Sequence, residues 1–260
     1  MIVDVRCRLT TPEAGGYYAV AAQRFGGAAA NEALADGTIA GFFRELGAAG
    51  ITTAVSVSGQ GPGRKVARWQ IPARTTSNDL MAELQRAHWG RFVGVGGIYG
   101  GNIIHDALAE VARCAQLGLR VVFVDHARSP GCPPDDRRGG DLVAWAHPAH
   151  LERVAEDFPE LRIIAEHGCY PYVREAIVVA ARRDNVYVSA DMYLFHLGTE
   201  DWLKAVNADL FGFRDKFLFG TSYPTIPLRP YVEQFFALPW QPDALPLILY
   251  GNALRALALS

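Results

Sequence analysis

The chain has 260 residues, 50% of them apolar and 20% charged, with 27 acidic and 25 basic side chains for a net charge of −2. This much apolar material builds a full core and excludes a disordered chain. A near-neutral balance gives no electrostatic case for nucleic acid or an anionic membrane surface as a partner.

Strand and helix signals alternate along the sequence. Ile2–Arg8 is a short β run. Ile39, Phe42, Phe43 and Leu46 sit at i, i+3, i+4 and i+7, which predicts a helix over Thr38–Gly47. Gly50 stops it, and Ile51–Ser58 is rich in β-branched residues. Asn78–His88 reads as a helix, Arg91–Ile98 as a strand, Ile104–Gln116 as a helix and Leu119–Asp125 as a strand. Ala127–Gly140 is a polar, Pro/Gly-rich loop, either a lid or an insertion. Asp141–Ala146 is a weak strand. A helix over His150–Phe158 leads to a strand at Leu161–Glu166. Val173–Arg182 (helix), Asn185–Ser189 (strand) and Lys216–Gly220 (last strand) follow, and Leu247–Leu257 is the closing helix.

Eight strands, most followed by a helix, predict a single-domain (β/α)8 barrel over 1–260, a fold that runs to roughly 250 residues. A doubly wound sheet would place a glycine-rich phosphate turn after the first strand, and Thr10-Thr-Pro-Glu-Ala-Gly-Gly is not one. No export signal or span of ~20 apolar residues is visible, so a cytoplasmic protein is expected. Cys7, Cys114, Cys132 and Cys169 are scattered without a C-x-x-C pair, which fits a reducing compartment and argues against a zinc knuckle.

Barrel chemistry sits at the C-terminal ends of strands, where alternate residues face inward. Alternation on the first strand puts Val3, Val5 and Cys7 towards the helices and Asp4, Arg6 and Arg8 towards the barrel. Two inward guanidiniums are costly unless paired. They read either as a carboxylate clamp or as partners of Asp4. His167 ends a strand just before Gly168, a good general acid/base position. Asp125 and His126 end the fourth strand, Asp191 the seventh, and Ser222 and Tyr223 follow the eighth. Tyr170 is one of several loop aromatics suited to lining a pocket. His147 and His150 flank a helix start and read as a helix cap.

These pieces together resemble a family. Ile2-Val-Asp, Arg91-Phe-x-Gly, Phe158-Pro-Glu-Leu-Arg-Ile-Ile-x-x-His-Gly, Asn185-Val-Tyr-Val, Phe219-Gly-Thr-Ser-Tyr-Pro and Gly251-Asn-Ala are similar, in order, to segments of the amidohydrolase-related barrels. The resemblance is to the branch of aromatic-acid decarboxylases and pyrone-dicarboxylate lactonases. There the first strand carries a metal-binding His-x-His. Here those positions are Arg6 and Arg8, and no His precedes His88. Ser222 stands for the family's Asp after the eighth strand, and Phe123 for a fourth-strand residue that is often Lys or a ligand. His147 has a loose match to the fifth-strand His.

Two permanent cations in place of two imidazoles repel a divalent ion, so no catalytic metal and no cofactor are expected. The resemblance implies a metal-independent hydrolase of a lactone or related C–O or C–N bond in a small carboxylated molecule. His167 would serve as acid/base, assisted by Asp191, Ser222 or Tyr223. Arg6 and Arg8 would bind the anion, with Asp4, Asp125, His126 and Tyr170 around it. A carboxy-lyase, a biosynthetic cyclase or isomerase, and a non-catalytic binding barrel are the alternatives. The resemblance also makes a homodimer plausible.

Overall fold

The computed structural model describes residues 1–60, 64–66, 69–98, 106–124 and 143–259. Strands β1 (Val3–Cys7), β2 (Thr53–Ser56), β5 (Phe92–Ile98) and β6 (Val121–Val124) form one parallel sheet in that order. Strands β7 (Ile163–Ala165) and β8 (Val186–Val188) form a second parallel pair. The predicted last strand links the two sheets. Val188 bridges Phe217, and Leu218 N donates to the Val188 carbonyl at 2.9 Å. On the other side, Val5 N donates to the Phe219 carbonyl at 3.1 Å, and Cys7 bridges Tyr223. The backbone thus runs laterally from β6 through β1 to β7, with helices outside, as a parallel barrel of the TIM type.

The weak strand expected at Asp141–Ala146 is not one. Val143–Ala146 forms a 3-10 turn, and 141–142 lie outside the described residues, as does the 127–140 loop. Between β2 and β5, β3 (Arg64–Val66) and β4 (Trp69–Ile71) make a small antiparallel hairpin.

Most helices fall where the apolar period puts them: α4 (Ile39–Ala48), α5 (Asn78–Ala87), α6 (Leu108–Gln116), α7 (Pro148–Asp157) and α8 (Val173–Arg182). Side-chain caps start three of them. Thr38 Oγ1 accepts from Gly41 N, Ser77 Oγ from Leu80 N, and His147 Nδ1 from Ala149 N. His147 is thus a cap, and its ring packs edge-on against Tyr172. The closing segment divides into a π-helical turn, Leu247–Gly251, and helix α11 (Asn252–Leu257). The sequence reading missed α1 (Pro12–Phe25), short α2 (Gly27–Ala30) and α3 (Ala33–Asp36), α9 (Thr199–Asn207) and α10 (Leu228–Ala237).

Two apolar clusters define the layers. Val3 and Val5 pack with Val55, Val57, Val95, Tyr187 and Leu218, and with half-buried Val121, Phe123 and Ile164. These side chains come from β1, β2, β5, β6, β7, β8 and the last-strand segment, so they meet inside the ring. Ala253 and Leu257 of α11 join them. The second cluster lies between strands and helices and includes Cys7, Phe42, Phe92, Val186, Phe219 and Phe235.

This layering corrects the first strand's expected faces. Asp4 pairs with Ala54 but Cys7 with Ser56, so β1 carries one extra residue between them. The bulge lets Val5 and Arg6 both face inward, while Asp4 and Cys7 face the helices. Asp4 is fully buried. Its Oδ1 accepts from Arg6 N and Thr221 N, each at 3.0 Å, and its Oδ2 from Thr221 Oγ1 at 2.6 Å. Asp4 therefore joins the first strand to the eighth and has no free edge for a substrate.

Burial, the largest influence, pushes the Asp4 carboxyl up to about 6 against these hydrogen bonds. Its proton is held more tightly in the folded chain than in the unfolded one, so Asp4 contributes most below pH ~4 and progressively less as pH rises to about 6. Relative to wild type, Asp4→Asn should gain about 2–3 kcal/mol between pH 4 and pH 7. Urea unfolding of both proteins across that range measures it. A pH-independent difference overturns the assignment.

Candidate active site

Two consecutive strand ends build the centre. Beyond β7, His167 adopts φ 59°, and beyond β8, Asp191 adopts φ 41°. Left-handed backbone at non-glycine residues is uncommon and clusters at functional sites. Here it turns the two residues together. His167 Nδ1 lies 2.7 Å from Asp191 Oδ1, and His167 N donates to Asp191 Oδ2 at 2.8 Å. Asp191 is buried, whereas the His167 side chain is 37% exposed and reachable from the mouth. Tyr231 on α10 holds the Asp191 turn, with its hydroxyl 2.7 Å from the Asp191 carbonyl and 2.8 Å from that of Gly220.

Arg6 completes the cluster. Its guanidinium pairs with Glu166, lies 3.4 Å from Asp191 Oδ2 through Nε, and places NH2 2.8 Å from His167 Nε2. Since a guanidinium only donates, Nε2 is the acceptor and Nδ1 carries the proton shared with Asp191. The imidazole is therefore neutral. Burial lowers the His167 pKa most, Asp191 opposes this, and Arg6 adds to the lowering. Burial would raise Asp191, but His167 and Arg6 hold its carboxyl below the usual value. Arg6 also lies over Phe123, 5.7 Å from the ring centroid, with Arg74 at 5.2 Å from the same ring.

Arg8 has different company. It is 5% exposed, donates NH1 to the Val57 carbonyl at 2.6 Å, and stacks on Tyr18 at 5.0 Å from the ring centroid. Among the described residues, no carboxylate lies within ion-pair distance of it. Tyr18 reaches Arg8 from α1, and its hydroxyl shares the Val57 carbonyl at 3.3 Å.

The other candidates divide. Tyr223 is corrected: it is buried against Phe42, and its hydroxyl donates to Glu45 Oε2 on α4 at 2.6 Å. Burial and Glu45 push its phenol up, so it stays a protonated structural donor. Ser222 lies beside the centre, its N donating to the Arg6 carbonyl at 2.7 Å. Its φ is 63°, and its buried Oγ has no hydrogen-bond partner among the described residues. Tyr170 stacks on Tyr193 at 4.4 Å, and Tyr193 meets the His167 ring edge-on at 5.0 Å. Asp125 and His126 lie outside the described residues. Glu166 and Tyr231 were not singled out in the sequence, while Tyr18 stood among the loop aromatics and Thr221 among the departures from the family pattern. Only Glu166 carried a signal, as the acid next to a strand-end His.

Among the described residues, no group of three or more His, Cys, Asp or Glu is arranged to hold a metal ion, and no helix is long and apolar enough to cross a membrane.

Comparison with known proteins places the chain in a family. The family description "Amidohydrolase" matches residues 47–259. No curated protein sequence matches. An uncharacterized TIM-barrel protein from Bordetella bronchiseptica is similar, with 31% identity over 99% of this chain and 98% of that one, at TM-score 0.81. A 5-carboxyvanillate decarboxylase from Sphingomonas paucimobilis shares the fold at TM-score 0.63 and 16% identity, covering 100% and 99% of the two chains. An amidohydrolase from Burkholderia multivorans with bound zinc does so at TM-score 0.58 and 12% identity, covering all of both. With the family match over most of its length and a full-length relative at 31% identity, the chain belongs to the amidohydrolase family of enzymes.

Proposed function

We propose that this protein is a metal-independent hydrolase that opens a lactone or related C–O or C–N bond in a small carboxylated molecule. The observation that carries the reading is the pair of contacts on the His167 ring, a carboxylate at Nδ1 and a guanidinium at Nε2. Asp191 holds the proton on Nδ1, and Nε2 presents a lone pair beside the Arg6 guanidinium. A neutral imidazole at working pH is a general base for water. Protonating a carbanion, as a carboxy-lyase requires, needs imidazolium, which burial and Arg6 disfavour.

The steps follow from the contacts. A substrate carbonyl oxygen takes over the Arg6 N–H that Nε2 accepts in the free chain. Water then attacks the carbonyl carbon and gives its proton to Nε2. Arg6, anchored by Glu166, stabilises the oxyanion. The C–O or C–N bond breaks, and Nε2 returns the proton to the leaving atom. Asp191 stabilises the transient imidazolium.

A divalent ion, as bound by the Burkholderia relative, does not fit these residues. The Arg6 guanidinium already sits among Glu166, Asp191 and His167, and Arg8 adds a second positive charge nearby.

Product analysis with carboxylated lactones and esters tests the reading. Ring-opened or cleaved acid without CO2 is expected, at a rate untouched by chelators. His167→Asn should lower kcat by about 10²–10⁴-fold. Released CO2, or activity lost on chelation and restored by zinc or manganese, overturns it.

The pH profile follows from the same contacts. The base works only when deprotonated, so kcat/KM should fall on acidification through a pKa below the ordinary 6.5. Arg6→Gln removes a charge that lowers this pKa and should move the acid limb to higher pH. The ring-proton titration of His167 by NMR should move with it. An unmoved titration means that Arg6 does not tune the base.

A further inference from the structure

Arg6, within β1, and Arg8, just past its end, do different jobs. Arg6 turns towards the ends of β7 and β8, where Glu166, Asp191 and His167 surround it. Arg8 turns the other way, to the Val57 carbonyl beyond β2. In the barrel, β2 lies on one side of β1 and the eighth-strand segment on the other. The backbones of residues two apart on a strand are about 7 Å apart, and the two guanidiniums have different partners.

Arg6 has two carboxylates, so it has little attraction left for another. Arg8 is buried, and among the described residues its partners are one backbone acceptor and one aromatic ring, with no acid. Its other donors are matched by a planar anion. Tyr18 lies on its π face and shares its carbonyl acceptor, which leaves the edge of the guanidinium for a ligand.

We infer that Arg8 is the specificity-determining residue, and that it reads a carboxylate set several bonds away from the bond cleaved at His167. Tyr18 is its positioning residue. The inference rests on the hydrolase reading for the cleaved bond, though not for the bound anion. It excludes substrates in which the carboxylate is itself the reacting group, because that group would bind at Arg8 and not beside His167.

The test uses the full chain and a series of 4-nitrophenyl hemiesters of linear dicarboxylic acids, malonate to suberate, with their neutral methyl esters for comparison. kcat/KM should be low for malonate and peak at intermediate length. Arg8→Met should cut the preference for the hemiester over its neutral partner by about 100-fold and flatten the length profile. Tyr18→Leu should cut it by a smaller factor, mainly through KM. Arg8→Lys, which keeps the charge, stands in if Arg8→Met does not fold, and should retain the preference but lose its sharp length dependence. An unchanged length profile in the Arg8 variants, or a preference for the shortest ester, overturns the inference.

Calorimetric titration with the free dicarboxylates separates the two readings. If no ester is cleaved, the hydrolase reading falls. The Arg8 inference then stands if the dicarboxylates bind wild type and His167→Asn but not Arg8→Met. It falls if they bind all three alike.

Discussion

A guanidinium buried at the mouth of a barrel needs counter-charge, and the arrangement of this site follows from how Arg6 finds it. Three partners from two strand ends converge on one side chain of a third strand. Removing any one leaves a buried charge short of a partner, which costs more than the pair ever contributes. The same contacts decide the state of His167. A donor at Nε2 and a carboxylate at Nδ1 allow one neutral tautomer, so the ion-pair network and the protonation of His167 are one arrangement.

Backbone strain serves this convergence. His167, Asp191 and Ser222 all have positive φ, each just past a strand end. An extended chain would carry these side chains up and away from the axis. A left-handed residue turns the chain at once and keeps the side chain low and central. Hydrogen bonds around these turns offset the cost. Gly168 N donates to the Ser189 carbonyl, Ser222 N to the Arg6 carbonyl, and the Tyr231 hydroxyl reaches two carbonyls. Residues far from the chemistry thus hold the geometry of those within it.

The barrel was legible because its strands are short β-branched runs and its helices carry clean apolar stripes. Val173–Arg182 is a helix with the bounds its period gives. Helix α1 was hidden because Gly15-Gly16-Tyr17-Tyr18 breaks the period and lowers the propensity, and packing overrides both. His167 and Asp191 were visible as strand-end residues, but their partnership spans 24 positions and depends on two left-handed turns. A period-2 rule has no means of seeing a bulge. The extra residue on β1 therefore reversed the faces of Val3, Val5 and Asp4, while Arg6 and Arg8 still came out inward. Tyr223 looked catalytic from its place after a strand, yet it faces α4, where Glu45 waits for its hydroxyl.

Asp4 and Arg8 show two ways for one strand to carry a buried charge. Asp4 has three donors around it and can still shed its charge, since its carboxyl is pushed up to about 6. A guanidinium has no such exit, because it stays protonated at every pH a folded protein meets. Arg8 must therefore take its counter-charge from outside the described fold or go without. A carbonyl and a tyrosine ring lessen the desolvation cost but supply no negative charge. Natural sequences tolerate such a conflict between stability and local chemistry mainly where function requires it. On that argument the surroundings of Arg8 are explained by the anion proposed for it and not by the packing of the fold.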